Sequence, residues 1–492
     1  MPGRRPPRES ESIVNKDRLT GLDASFLHIE DGSAHMHVAA ALTFEGAPPP
    51  YEELVQSVDE RLHLVPRYRQ RVAFVPLGQG RPRWVDDPHL NIRYHVRHTA
   101  LPEPGDEDQL RALAGRVFAQ PLDLDKPLWE IWLVEGLEDG DGGERFAVLS
   151  KTHHALVDGI AGVDLMTVLF DTQPEPVVPP ERGARWLARP MPSGAQLLGE
   201  ALVERLGGPL EAVRAAGGAV RHPRRVLGGL AASAVGLGSF VSSSIRPAPS
   251  SPYNVEIGPH RRFAWVRWDL PEVKALKDEL GGTVNDVMLT VVTLALGRHL
   301  YHRGISTEGL ELRAFIPVSV RDEHGPGVTG NQVAGMMAPL PVWAREPTTC
   351  FDLISEAMIG LKQGGQAVGA KALTELSGFA SPTIMSQAAR LATRGRLFNL
   401  VVTNVPGPQL PLYLLGREMI DFVPMVPLAP GQGVGVAIMS YNGRIAFGLT
   451  GDWDAMADLD DLAGDLRAAI SDLVEAAGVG AKKKAGRSRA SA

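Results

Sequence analysis

Between Gln173 and Pro252 the chain loses the alternation of strand-like and helix-like patterns that runs on either side. Gln173 to Pro180 is proline-rich, and Pro247, Pro249 and Pro252 close the interruption. A chain of 492 residues also exceeds what one hydrophobic core usually serves. The expected division is a first unit over 17–180, a connector over 181–255, a second unit over 256–477 and a basic disordered tail over 478–492. Each unit begins strand, helix, strand, with no clear sequence repeat between them. The expected fold class is α+β, two halves joined by a long, partly helical connector.

In the first unit, Met36–Phe44 is extended, Tyr51–Val65 helical and Ile92–His98 a short strand region. Leu110–Phe118 has helical spacing. Trp129–Val134 and Phe146–Ser150 form a hairpin around the turn cluster 139–143. Gly159–Phe170 resumes a helical pattern. In the connector, Leu198, Leu202 and Leu206 mark an amphipathic helix. Val226–Ile245 is uncharged, but its Gly, Ala and Ser make it weakly apolar for a membrane span. It is expected to pack on protein or rest at a membrane interface. In the second unit, Thr283 and Asp286 form a capping-box pattern opening a long apolar helix through Leu300. Leu312–Val320 and Leu397–Thr403 read as strands, and Phe351–Leu361 and Pro382–Thr393 as helices. Asn442-Gly443 sets a hairpin, and Leu459–Ala476 is a final amphipathic helix.

Composition narrows the chemistry. The net charge of -7 gives no support for nucleic-acid binding. One cysteine, Cys350, rules out an intramolecular disulfide framework and a cysteine-cluster metal site. It sits at an expected helix start, where a small semi-buried side chain is the simpler reading. The N-terminal residues lack the apolar run of a secretory signal. Lys482, Lys483, Lys484, Arg487 and Arg489 make the tail basic, as a solvated tail or as weak attraction to an anionic membrane surface.

The informative segment is His153-His154-Ala155-Leu156-Val157-Asp158-Gly159, after a buried strand and before a helical pattern. A residue in such a turn projects into a cleft while its backbone stays anchored. Imidazole titrates near neutral pH and suits removal of a proton from an alcohol during acyl transfer. A thioester donor needs little acid help, because thiolate leaves readily. Asp158 either orients the histidine or pairs with a distant arginine to hold the loop; the tight local geometry favours the structural role. Gly159 permits a backbone conformation that larger residues resist. A metal site is the weaker reading, since neighbouring residues on a strand face opposite ways and no further ligand motif appears.

Asn285 and Asp286 open the long helix. Asp286 is explained by capping, whereas Asn285 donates to a developing oxyanion or shapes a substrate channel. Thr403 and Asn404, at a strand end, are the other oxyanion candidates. Pro406-Gly407-Pro408 stiffens a turn, and Pro127-Leu128-Trp129 either sets the entry to a strand with Trp129 packed in the core or lines a lipid tunnel.

The His153–Gly159 segment matches the HHxxxDG signature of the CoA-dependent acyltransferase superfamily. Leu22-Asp23-Ala24-Ser25-Phe26, Pro127-Leu128-Trp129, Asn285-Asp286 and Asn404-Val405-Pro406-Gly407-Pro408 follow the same order as in bacterial wax ester synthase/diacylglycerol acyltransferases. The chain resembles that family from about Leu19 to Val474. The resemblance implies two chloramphenicol-acetyltransferase-like domains with an active-site tunnel between them. It also implies His154 as catalytic base beside His153 and Asp158. It further implies acyl-CoA as co-substrate, no cofactor or metal, and diacylglycerol or a fatty alcohol as acceptor. The expected location is cytoplasmic, with peripheral contact at the inner membrane, a lipid-droplet surface or lipid inclusions left open. Condensation-type chemistry on carrier-bound acyl groups and an idle lipid-binding scaffold are the alternatives. The intact His154, Asp158 and Gly159 argue against the idle scaffold.

Overall fold

The computed structural model describes residues 17–30, 32–138, 140, 142–156, 169–176, 186–203, 247–319, 333–363 and 396–479. The first half holds α1 (Gly21–Ile29), β1 (His37–Glu45), α2 (Tyr51–Arg61), β2 (Gln70–Ala73) and β3 (Arg83–Asp86). It continues with α3 (Ile92–His95), β4 (Val96–Ala100), α4 (Glu107–Ala119), β5 (Trp129–Glu138) and β6 (Glu144–His153). The second half holds β7 (Arg261–Asp269), α5 (Leu270–Leu280), α6 (Val284–His302), β8 (Leu312–Ser319), β9 (Val333–Leu340) and α7 (Pro347–Gln363). It ends with β10 (Leu400–Pro406), β11 (Tyr413–Leu414), β12 (Arg417–Met425), β13 (Val434–Tyr441), β14 (Arg444–Asp452) and α8 (Leu459–Ala476).

The first sheet runs β11-β12-β1-β6-β5-β4 and the second β7-β14-β13-β10-β8-β9. Two strands of the first sheet therefore come from the second half. β12 lies antiparallel on β1, with Ala39 opposite Met425 and Leu42 opposite Phe422. The expected span 256–477 thus does not keep all its strands in one sheet. β12 is buried on both faces: Met419 and Phe422 enter the core of the first half, while Val423 and Met425 enter the core between the halves. The residue pattern gave no element here, because a strand buried on both faces lacks period-two polarity.

One face of the second sheet is covered by helices. Leu400 and Val402 of β10 and Ile316 of β8 pack with Val287, Val291 and Leu294 of α6 and Leu462 and Leu466 of α8. α6 starts at the expected capping box, with the Thr283 side chain accepting Asp286 N–H and the Asp286 carboxylate accepting Thr283 N–H. Asn442 and Gly443, with φ of 42° and 80°, make the tight β13–β14 turn. Cys350 is wholly buried in α7, and burial pushes its thiol up to about 12, with Glu346 adding to the rise.

The other face of the second sheet meets the first half. Phe263, Trp265 and Ala446 share a core with Leu110, Leu113 and Phe118 of α4 and with Ala39 and Leu149 of the first sheet. α4 crosses β7 so closely that a Cβ on Gly115 would lie 2.7 Å from the Arg261 carbonyl oxygen.

Two local expectations are corrected. Ile92–His95 is one helical turn, capped by the Asn91 side chain on Arg93 N–H, and only then does β4 begin. In the connector, residues 194–203 are helical, but the packed face is one residue off the expected stripe. Leu197 and Ala201 are buried against Ala73, Val75 and Val85 of the β2–β3 hairpin, while Leu202 is 55% exposed. The small Ala201 fits there because its Cβ faces Gly80, where any side chain would stand 2.9 Å away. Leu206, Val226–Ile245, Pro382–Thr393, most of Gly159–Phe170 and the basic tail lie outside the described residues. Among the described residues no single helix is long and apolar enough to cross a membrane.

Candidate active site

β6 carries the histidine pair to the seam between the halves. Side chains alternate along a strand, so Leu149, Lys151 and His153 share the face turned toward α4. His153 is 1% exposed and both ring nitrogens are engaged. Nδ1 accepts Ala155 N–H at 3.0 Å, which leaves the ring proton on Nε2, donated to Glu30 Oε1 at 3.2 Å. With both nitrogens committed, His153 has neither a lone pair for a substrate proton nor one for a metal. Among the described residues no three His, Cys, Asp or Glu side chains converge on a metal-sized site.

His154 is the first residue of the turn after β6. Its N–H donates to the Met36 carbonyl at 2.8 Å, tying the turn to the start of β1. Its ring lies on Phe26, centroids 4.0 Å apart and planes 18° from parallel. Nδ1 is buried without a hydrogen-bond partner, and among the described residues no group hydrogen-bonds Nε2. Burial pushes the imidazole down to about 4; its own backbone carbonyl opposes this and His153 adds to it. At neutral pH the ring is therefore unprotonated, the state a general base requires.

α1 supplies the backing. Thr20 and Asp23 form its capping box, so the Leu22–Phe26 stretch is a helix start that delivers Phe26 to the imidazole. Glu30 ends the helix, and its Oε1 accepts both the His153 ring proton and Met36 N–H, the latter at 2.8 Å. Phe26 and Met36 pack with Ile257 and Leu428 of the second half. Arg261 also reaches across, donating to the Ser33 carbonyl as well as to those of Gly258 and His260. The His154 scaffold is thus held by both halves. Sequence reasoning did not single out Phe26 or Glu30 as site residues. Phe26 was visible only as a member of an opening motif, and Glu30 carried no signal beyond its charge.

Beneath the pair, a buried polar layer closes the end of α4. Lys151 is fully buried; its Nζ donates to the carbonyls of Val117 at 3.2 Å and Gln120 at 3.1 Å and lies 3.3 Å from Glu130. His37 Nε2 donates to the Phe118 carbonyl at 2.6 Å. These groups satisfy carbonyls that a helix C-terminus leaves open. Burial lowers the Lys151 ammonium, with Glu130 pulling it back up, and burial holds His37 well below its usual range. His37 is therefore a neutral donor.

The remaining expected site residues fall into two groups. Asn404 donates through Nδ2 to Asn285 Oδ1 at 3.4 Å, so the end of β10 and the start of α6 meet. Asp286 performs the capping role, its Oδ2 accepting Thr283 N–H at 2.9 Å. Thr403 alternates with Val402 and so lies on the opposite face of β10, the face that farther along the sheet packs on the first half. Among the described residues no hydrogen bond links Asn285, Thr403 or Asn404 to His154. Asp158 and Gly159 lie outside the described residues. Trp129 is buried as expected, its indole N–H donating to the Tyr68 carbonyl at 2.9 Å.

Residues 19–288 match the family model of the wax ester synthase/diacylglycerol acyltransferase catalytic domain, and residues 329–474 that of the WS/DGAT C-terminal domain. The chain is 33% identical over 467 residues to the probable diacylglycerol O-acyltransferase tgs1 of Mycobacterium tuberculosis, covering 93% of this chain and 96% of that one. Its fold is similar to the wax ester synthase/diacylglycerol acyltransferase from Marinobacter aquaeolei, with a TM-score of 0.65 and 26% identity over 94% of this chain and 100% of that one. The first condensation domain of the calcium-dependent antibiotic synthetase shares the fold at 18% identity and a TM-score of 0.57, over 94% of this chain and 96% of that one. On this evidence of sequence and fold, the chain belongs to the wax ester synthase/diacylglycerol acyltransferase family.

Proposed function

We propose that the protein moves a long-chain acyl group from acyl-CoA to the hydroxyl of diacylglycerol or a long-chain alcohol, with His154 as general base. The family supports an acyltransferase, and the relatives' names support these acceptors. The observation that carries the residue assignment is the His154 ring itself: unprotonated, clamped on Phe26, with Nε2 unengaged among the described residues.

In this reading Nε2 removes the alcohol proton as the oxygen attacks the thioester carbon. The tetrahedral adduct collapses, the carbon–sulfur bond breaks, and the departing sulfur takes the proton back from the imidazolium. Atoms balance without a covalent enzyme intermediate. The adduct needs preorganised donors for its oxyanion; Asn285, Thr403 and Asn404 remain the candidates, with Asp158 and Gly159 kept as supporting members of the motif. His153 is read as support for the neighbouring base.

A purified-protein assay with palmitoyl-CoA and either diolein or hexadecanol tests this. CoA release should depend on the acceptor and vanish in His154→Ala. Full turnover in that variant overturns the base assignment, and acyl transfer seen only with carrier-bound donors overturns the donor.

The reading includes a cytoplasmic enzyme resting on a membrane or lipid-inclusion surface. Support for the surface contact is the lobe built by the β2–β3 hairpin and the helix at 194–203. There Phe74, Leu77, Leu187, Leu202 and Val203 are all exposed, Leu77 by 86%.

A further inference from the structure

We propose that Glu30 is a positioning residue for the reaction, acting on the base through His153 and Met36 and never touching substrate. The inference rests on His154 being the base.

Three segments fix where that imidazole sits: the end of α1, the approach to β1 and the end of β6. One carboxylate oxygen joins all three. Glu30 Oε1 accepts Met36 N–H at 2.8 Å and the His153 Nε2 proton at 3.2 Å. Met36 then uses its carbonyl to hold His154 N–H at 2.8 Å. His153 uses its other nitrogen to hold Ala155 N–H at 3.0 Å. The peptide groups on both sides of the His154 side chain are therefore anchored, and each anchor leads back to the same oxygen. Phe26, one helical turn before Glu30, lies against the ring itself. What remains free is the rotation of one side chain against a flat surface.

The chemistry of Glu30 suits this task. Its side chain is 20% exposed, and its oxygen receives two donors, bonds that are stronger when the acceptor is ionised. Burial works against the charge, but the hydrogen bonds from the His153 ring and Met36 N–H outweigh it and keep the carboxyl ionised. Removing the acceptor strands a buried imidazole N–H and a peptide N–H. Both segments then relax, and His154 Nε2 shifts by a fraction of an ångström. Misplacement on that scale acts on the chemical step rather than on substrate affinity.

The test uses the full chain, palmitoyl-CoA and diolein, with Glu30→Ala, Glu30→Gln and His154→Ala compared. Glu30→Ala should lower kcat about 10- to 100-fold with KM for both substrates within about twofold. Glu30→Gln should recover to within about threefold of the parent, because its amide oxygen accepts the same two bonds. Should Glu30→Ala not fold, Glu30→Leu takes its place under the same criteria. Unchanged kcat in the truncated variant, a loss confined to KM, or a Gln variant as impaired as Ala overturns the proposal. If His154→Ala abolishes turnover while Glu30→Ala is normal, only the positioning role fails. If His154→Ala turns over normally, the reading of the base fails first.

Discussion

The imidazole of His154 and the ring of Phe26 lie face to face, 4.0 Å between centroids and 18° from parallel. The contact sets the plane of the imidazole. A paired ring contributes about 0.5–1.5 kcal/mol beyond its buried area. Phe26→Ala should therefore lower kcat at least about tenfold through loss of orientation. It should also cost about 1–3 kcal/mol of stability, less than a fully buried phenylalanine. Phe26→Leu should recover most of the stability and less of the rate. Steady-state kinetics and urea unfolding of the two variants separate the contributions.

Burial lowers the His154 imidazole from 6.5 to about 4. Above pH 6.5 neither the folded nor the unfolded chain protonates it, and stability is complete. As pH falls from 6.5 toward 4 the unfolded chain takes the proton first, and on the order of 3 kcal/mol is lost. Burial also lowers His35 and His37, which act in the same direction. The acid limb of kcat/KM should thus lie well below 6.5, and the unfolding midpoint should drop across that window. Replacing His154 by Gln should reduce the pH slope of stability. A kinetic limb centred at 6.5 would contradict a desolvated base.

The close crossing of α4 over β7 makes Gly115 intolerant of any side chain, since the Arg261 carbonyl stands 2.7 Å from a Cβ there. Gly115→Ala should destabilise the protein by about 1–3 kcal/mol, because backbone must move to admit it. Gly464 in α8 is the control: a Cβ there meets nothing within 4 Å. Gly464→Ala should stabilise by about 0.5–1 kcal/mol through helix propensity and a less flexible unfolded chain. Opposite signs in denaturant titrations of the two variants check the reading.

Leu77 projects at 86% exposure from a backbone with φ of 60°, beside the exposed Phe74. Leu77→Glu combined with Leu202→Glu should cut flotation with anionic phospholipid vesicles about tenfold or more, through lost apolar insertion and added like-charge repulsion. Turnover of detergent-dispersed substrate should stay within about twofold. Equal flotation of the double variant and the parent would assign membrane contact to other parts of the chain.

Much of this architecture was legible beforehand, and the exceptions have physical causes. The Thr283–Asp286 capping box, the Asn442-Gly443 turn and α8 were visible because each depends on neighbours within a few residues. His154 was visible because a strand, a turn and a conspicuous residue pair coincide there. β12 escaped because both its faces are buried, and the connector helix was shifted by one residue because a glycine on a distant hairpin decides which side packs. Glu30 escaped for the same reason: its two donors lie 6 and 123 residues away, and no local pattern records them.

The loan of β11 and β12 to the first sheet has a consequence for how this protein can be handled or evolve. Cutting it between its halves would strip β1 of its outer neighbour and bare a row of peptide groups, an invitation to pair with other chains. Neither half is a portable module. A fragment ending before residue 413 should come out of cells as aggregate, and any exchange of parts with a relative must carry residues 413–425 along with the N-terminal portion.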